Sequence, residues 1–130
     1  MLRSQQMAQA AFGRVQQRKD RQDKYRKEYR SFAREFPTLV HQCGLAQAVV
    51  FAQTKKDHQL DYVTDLAAVL TAAGHADVVS AEALASRTRS LPVAAYVRLS
   101  RDALDAAVWL KRYVEALFED KTPQPQGMNS

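Results

Sequence analysis

The segment PVAAYVRLSRDALDAAVWLKRYVEALF, residues 92–118, carries the clearest structural signal in the chain. Its apolar residues return every three or four positions, which is the spacing of one face of an α-helix. The residues of this stripe are Tyr96, Leu99, Ala103, Ala107, Leu110, Val114 and Leu117. The pattern predicts a helix of about seven turns over residues 92–119, with one face in a core.

A second long helix is predicted over residues 4–35. Its apolar stripe is formed by Ala8, Ala11, Val15, Tyr25, Tyr29, Phe32 and Phe36. The stripe thins between residues 16 and 24, where Arg18 and Gln22 hold the inward positions. We expect that middle section to be exposed to solvent or packed against another molecule. Pro37 is expected to end this helix or to start the next one, because its fixed φ suits a first helical position.

Shorter helices are predicted for residues 37–43, 45–55 and 60–73, with Ser80 capping one over 80–89. Gly44 and Gly74 stand where helices are expected to stop. The sequence therefore predicts an all-α, single-domain bundle of about five to seven helices within residues 1–120. The two long helices, 4–35 and 92–119, would pack antiparallel, and residues 121–130 have the composition of a disordered tail.

Composition excludes several classes of protein. One cysteine in 130 residues cannot form an intrachain disulfide and suits a reducing compartment. No apolar run approaches the roughly 20 residues of a membrane span. The first residues lack the apolar core of a signal peptide. We therefore expect a cytoplasmic protein without membrane contact.

The positive charge is confined to one segment. Nine basic and four acidic residues lie between Arg14 and Glu35, a net charge of +5, and the rest of the chain is balanced. Lys19, Lys27, Arg30 and Arg34 form one predicted ridge with Asp23, and Arg14, Arg18 and Arg21 form a second. Such a face is either a solvated helix surface with ion pairs or a surface that contacts phosphates.

The sequence offers no convincing catalytic, metal or cofactor site. His41 and Cys43 lack the further ligands that a metal site needs. We interpret Cys43 as a small packing residue before a helix break at Gly44. The pairs Asp61–Asp65 and Asp102–Asp105 lie near basic residues or helix starts and are interpreted as structural carboxylates rather than as an acid–base pair. No catalytic residue, metal, cofactor or small-molecule ligand is predicted, and an enzyme is not expected.

Two segments are similar to a known family. Residues 36–55, FPTLVHQCGLAQAVVFAQTK, and residues 96–118, with their WLKR motif, resemble the small helical subunit of the Cmr complex, the type III-B CRISPR effector. The first segment matches through Pro37, Gly44, Leu45, Gln47, Ala48, Phe51 and Lys55. The second matches through Tyr96, Ser100, Arg101, Ala103, Leu104, Trp109, Leu110, Lys111, Arg112 and Ala116. The resemblance covers nearly the whole chain and consists of packing motifs.

The resemblance implies a non-catalytic subunit that acts in antiviral defence. Several copies would stack beside other Cmr subunits along the guide RNA–target RNA duplex and contact its backbone without reading sequence. The residues expected to face RNA are Arg14, Arg18, Arg21, Lys24, Lys27, Lys111 and Arg112. Arg112 could instead pair with Glu115 or Glu119. Trp109 is expected to be buried between the long helices rather than to stack on a base. The alternative function is a helical adaptor whose basic helix binds an acidic protein without RNA contact.

Overall fold

The computed structural model describes residues 2–55 and 57–118. Over these residues the chain forms helices and no strand. The five helices of this described part are α1 (Arg3–Arg18), α2 (Asp23–Thr54), α3 (His58–Ala72), α4 (Ala81–Ser90) and α5 (Val93–Leu117). The predicted all-α class and helix number are confirmed. The predicted tail, residues 121–130, lies outside the described residues.

The prediction of one helix over residues 4–35 is wrong, because α1 ends at Arg18 and α2 begins at Asp23. The intervening residues contain neither glycine nor proline, so no local breaker marks the turn. Arg26, which is buried, donates hydrogen bonds to the backbone carbonyls of Lys19 and Arg21 and to the carboxylate of Asp23. A side chain from α2 therefore provides hydrogen-bond partners for backbone carbonyls of the turn that follows α1.

Pro37 neither ends nor starts a helix, contrary to the prediction. It lies inside α2, and the change of direction comes at Gly44, whose φ of 86° and ψ of 160° are not helical. The break predicted at Gly44 is confirmed. Tyr96 of α5 holds the bend, because its hydroxyl accepts a hydrogen bond of 3.1 Å from the backbone N–H of Ala46.

The remaining helices agree closely with the sequence pattern. Ser80 caps α4, since its hydroxyl accepts a hydrogen bond of 3.0 Å from the N–H of Ala83. Gly74 follows α3 with a φ of 114°, which favours glycine. In α5, the stripe members from Leu99 to Val114 are buried, as predicted, and Phe118 adds a buried ring just after the helix.

Helices α1 and α2 both pack along α5, but they run in opposite directions. The α1 contacts, Arg3 with Asp102 and Phe12 with Tyr113, advance together along both helices, so α1 runs parallel to α5. The α2 contacts, Arg34 with Glu115 and Ala46 with Tyr96, run in opposite order. The antiparallel arrangement predicted for the long helices therefore holds for α2 and not for α1.

The helices share one hydrophobic core with an aromatic centre. The ring of Tyr62 on α3 lies 5.3 Å from that of Phe32 and 5.1 Å from that of Phe36, both on α2. Such tilted and edge-to-face pairs stabilise a core beyond their buried area. No described helix is long and apolar enough to cross a membrane.

Candidate nucleic-acid interface

A buried carboxylate, Asp65, joins the first three helices. Its side chain has no solvent exposure. Arg14 donates to it at 2.9 Å, Arg18 donates two hydrogen bonds at 3.0 and 2.8 Å, and Tyr29 donates from its hydroxyl at 2.5 Å. These four hydrogen bonds supply the partners that a buried charge requires. We call Asp65, Arg14, Arg18 and Tyr29 the Asp65 hub.

The pKa values of several side chains in and around the Asp65 hub are shifted. Burial alone would lower the pKa of Arg18, but the hydrogen bonds and charge of Asp65 outweigh it, so that pKa is raised. Burial, together with the negative charge of Asp65, raises the pKa of Tyr29 and of Tyr62. Tyr25 lies beside the hub and donates to Asp61 at 2.6 Å; burial and this bond raise its pKa. The hub therefore places the guanidiniums of Arg14 and Arg18 against one buried carboxylate.

Most arginines of the basic segment point at the protein itself. Arg14 and Arg18 bind Asp65, Arg26 holds the turn before α2, Arg30 donates to the carbonyl of Phe118, and Arg34 forms two hydrogen bonds with Glu115. The planar fork of a guanidinium suits such contacts better than a lysine ammonium does. The basic segment therefore presents fewer positive charges to solvent than its sequence contains.

The outward charges of this segment cluster at the α1–α2 turn. Lys19, Arg21, Lys24 and Lys27 are exposed, and we call these four residues the turn surface. Arg21 and Lys24 line a broad depression together with Tyr25, and three acids also line it: Asp20, Glu28 and Asp57. The guanidinium carbon of Arg21 lies 3.9 Å from the centre of the Tyr25 ring. This cation–π contact restrains Arg21 while leaving it about half exposed.

Lys111 and Arg112 are exposed on α5 and line no part of that depression. Arg112 lies 5.7 Å from the ring centre of Trp109. Among the described residues, no acid forms an ion pair with Arg112, and Glu115 pairs with Arg34 instead. Trp109 is half-buried and packs on Tyr113, so the predicted burial is only partial.

The other candidate residues have structural surroundings. Cys43 is half-buried and its thiol donates to the carbonyl of Leu39 at 3.1 Å, while His41 is exposed. Asp102 accepts one hydrogen bond from Arg3 at 2.5 Å and lies 2.6 Å from a ring nitrogen of His75. Asp105 is exposed. Within the described ranges, no group of three or more metal-ligating side chains converges.

The Asp65 hub was missed by sequence reasoning, although one signal pointed to it. Arg18 occupies an inward position on the α1 stripe, next to Val15. An inward arginine requires an inward acid. Asp65 follows Tyr62 by three residues and precedes Val69 by four, which places it on the core face of α3. The core-facing helical positions of Arg18 and Asp65, taken together, could have predicted that these two side chains pair.

Comparison with known proteins gives consistent matches. The family described as CRISPR-associated protein (Cas_Cmr5) matches residues 3–117. The chain is 39% identical, over 119 residues, to the CRISPR system Cmr subunit Cmr5 of Thermus thermophilus, covering 91% of this chain and 97% of that protein. A crystal structure of a CRISPR-associated Cmr5 family protein from the same organism superposes with a TM-score of 0.80 at 37% identity, covering 92% of this chain and 99% of that one. With the family matched from α1 to the end of α5, the chain belongs to the Cmr5 family of CRISPR-associated proteins.

Proposed function

We propose that this chain is a non-catalytic structural subunit of a cytoplasmic Cmr-type CRISPR effector that acts in antiviral defence. The observation that carries the proposal is the family match over residues 3–117, which spans all five described helices. The packing supports it, because the candidate side chains of Asp65, Cys43 and Asp102 are engaged in hydrogen bonds within the fold. The partners are other Cmr-type subunits, further copies of this chain, and the guide and target RNAs.

The turn surface is the part that we propose to contact the RNA backbone. Arg21, Lys24 and Lys27 of the predicted set present their charges there. Arg14 and Arg18 would support this contact indirectly, because their guanidiniums fix the end of α1 through Asp65. Phosphate contacts position a protein on RNA without reading bases, so base pairing by the guide would supply the sequence recognition.

Co-purification from the native host tests the assembly. A tagged chain purified at moderate salt is expected to bring down CRISPR backbone subunits, a repeat-derived guide RNA and untagged copies of itself. Native mass spectrometry of that complex gives the copy number. Recovery of acidic proteins without RNA would overturn the proposal and favour the adaptor function.

Single charge reversals test the RNA contact within that complex. Lys24→Glu and Lys27→Glu are each expected to weaken target RNA binding while leaving subunit recovery unchanged. Arg89→Glu is the matched control, since Arg89 is also exposed but lies at the end of α4. Equal loss of binding in all three variants would show that general charge, not the turn surface, attracts the RNA.

A further inference from the structure

A groove between the start of α1 and the middle of α5 has an aromatic wall. The groove has a volume of about 430 Å³ and is open on one side, and this volume lies within the usual range of ligand-binding clefts. Its walls are formed by Arg3, Ser4, Met7, Asp105, Val108, Trp109 and Arg112. The groove shares no residue with the depression beside the turn surface. It is therefore a second candidate site, on a different pair of helices.

Trp109 forms the aromatic wall and is itself supported by other rings. Its ring stacks on Tyr113 at 5.9 Å with an interplanar angle of 21°. Tyr113 meets the edge of Phe12 on α1 at 5.5 Å. This packing restrains the indole ring, and its half-exposed part borders the groove. A restrained, partly open aromatic ring of this kind can stack on a nucleic-acid base of any identity.

An exposed row along α5 supplies positive charge beside this ring. The row consists of Arg98, Arg101, Asp105, Val108 and Arg112, at spacings of three, four, three and four residues. These spacings place all five side chains on one helix face, which extends about 21 Å. Three arginines outnumber one aspartate in the row. Arg112 also lies 5.7 Å from the centre of the Trp109 ring.

We propose that this groove binds an unpaired stretch of RNA, with one base stacked on Trp109 and the arginines of the row contacting neighbouring phosphates. The proposal rests on the proposed function and adds a single-strand contact to it. A positively charged row beside an aromatic ring is the usual arrangement for binding single strands without sequence preference. The excess positive charge favours RNA over a protein partner for this surface.

Trp109 is the only tryptophan in the chain, so its fluorescence reports on this groove alone. The purified full-length protein is titrated at low salt with three probes of about ten nucleotides: single-stranded RNA, duplex RNA, and an abasic ribose-phosphate strand of equal charge. Single-stranded RNA is expected to quench the emission, and the abasic strand is expected to bind without quenching. Trp109→Leu is expected to weaken single-strand binding about tenfold with an unchanged salt slope, and Trp109→Phe to restore most of it.

The outcomes separate this proposal from the one on which it rests. Salt-dependent RNA binding that is lost in Lys24→Glu but leaves the Trp109 emission unchanged would overturn the groove proposal alone. Absence of RNA binding, both by the free protein and in the assembled complex, would overturn both. Protection of Trp109 from acrylamide by Cmr-type subunits without RNA would identify the groove as a protein interface and also overturn the proposal. The wild-type titration does not depend on any variant folding.

Discussion

The hydroxyl of Tyr29 donates a 2.5 Å hydrogen bond to Asp65, and neither residue is exposed to solvent. The same carboxylate accepts hydrogen bonds from Arg14 and Arg18. Helices α1, α2 and α3 therefore meet at one buried anion. A buried, partnered charge of this kind contributes little net stability by itself, but it is costly to break because Tyr29 is fully buried and both arginines are partly buried.

Replacing Asp65 with asparagine is expected to lower the free energy of unfolding by about 3–5 kcal/mol. The change removes the anion that Arg14 and Arg18 share, so that Arg14 loses its partner and Arg18 keeps only its ion pair with Asp61 at 3.4 Å. Urea unfolding followed by circular dichroism measures the effect. Asp77→Asn is the control, because the pair of Asp77 with Arg87 is much more exposed and should be worth at most about 1 kcal/mol. Equal losses in both variants would contradict a special role for Asp65.

Gly44→Ala is expected to destabilise the protein by about 1–3 kcal/mol. The φ of 86° is strained for any other residue, and a Cβ atom would lie 3.3 Å from the hydroxyl of Tyr96. Gly13→Ala provides a matched control within α1, where a Cβ atom meets nothing within 4 Å. That control should be neutral or stabilising by up to about 1 kcal/mol. Thermal unfolding of the two variants side by side gives the comparison.

Stability is expected to fall as the pH rises above about 10. The folded protein raises the pKa of Tyr25, Tyr29 and Tyr62, mainly by burial, so it keeps their protons longer than the unfolded chain does. The contribution of these groups is complete below the unfolded pKa and is lost as the pH rises toward the folded values. Tyrosinate absorbance during an alkaline titration should show these three phenols ionising only as the helices unfold. Ionisation with the helical signal intact would refute this.

The salt dependence of RNA binding should reflect the outward charges rather than the sequence count. Each lysine that neutralises a phosphate adds about 0.7 to the slope of log affinity against log salt for a single strand. Lys24→Ala combined with Lys27→Ala should therefore reduce the slope by about 1 to 2. A filter-binding series over several salt concentrations measures it. Arg34→Ala, which removes a charge paired with Glu115, should leave the slope unchanged.

The sequence predicted helices, caps and bends well where a local sequence signal and the packing of the core favoured the same structure. The regular stripe of α5, the Ser80 cap and the bend at Gly44 each depend on residues close together in the chain. The turn at 19–22 has no such signal. It is held by Arg26, one turn into the next helix, and only the folded structure shows that contact. Pro37 misled the prediction because packing of the flanking turns outweighs the local cost of proline.

The sequence predicted which basic segment forms the candidate site, but not the directions in which its side chains point. Sequence reasoning identified the basic segment, yet helical spacing does not tell an arginine that binds Asp65 from a lysine that faces solvent. Arg14 and Arg18 point inward because Asp65 lies about fifty residues away on the core face of α3. Trp109 was expected to be more buried than it is, because its packing on Tyr113 leaves one side bordering the groove.

The bend at Gly44 is held in place by α5, because the hydroxyl of Tyr96 accepts a hydrogen bond from the backbone N–H of Ala46 just beyond the bend. Glycine supplies the angle, and the hydrogen bond to Tyr96 of α5 restrains it. In the stacked arrangement that the family resemblance implies, each copy would then add the same length to a filament. The fold of a single chain would then set the repeat distance between copies along the RNA.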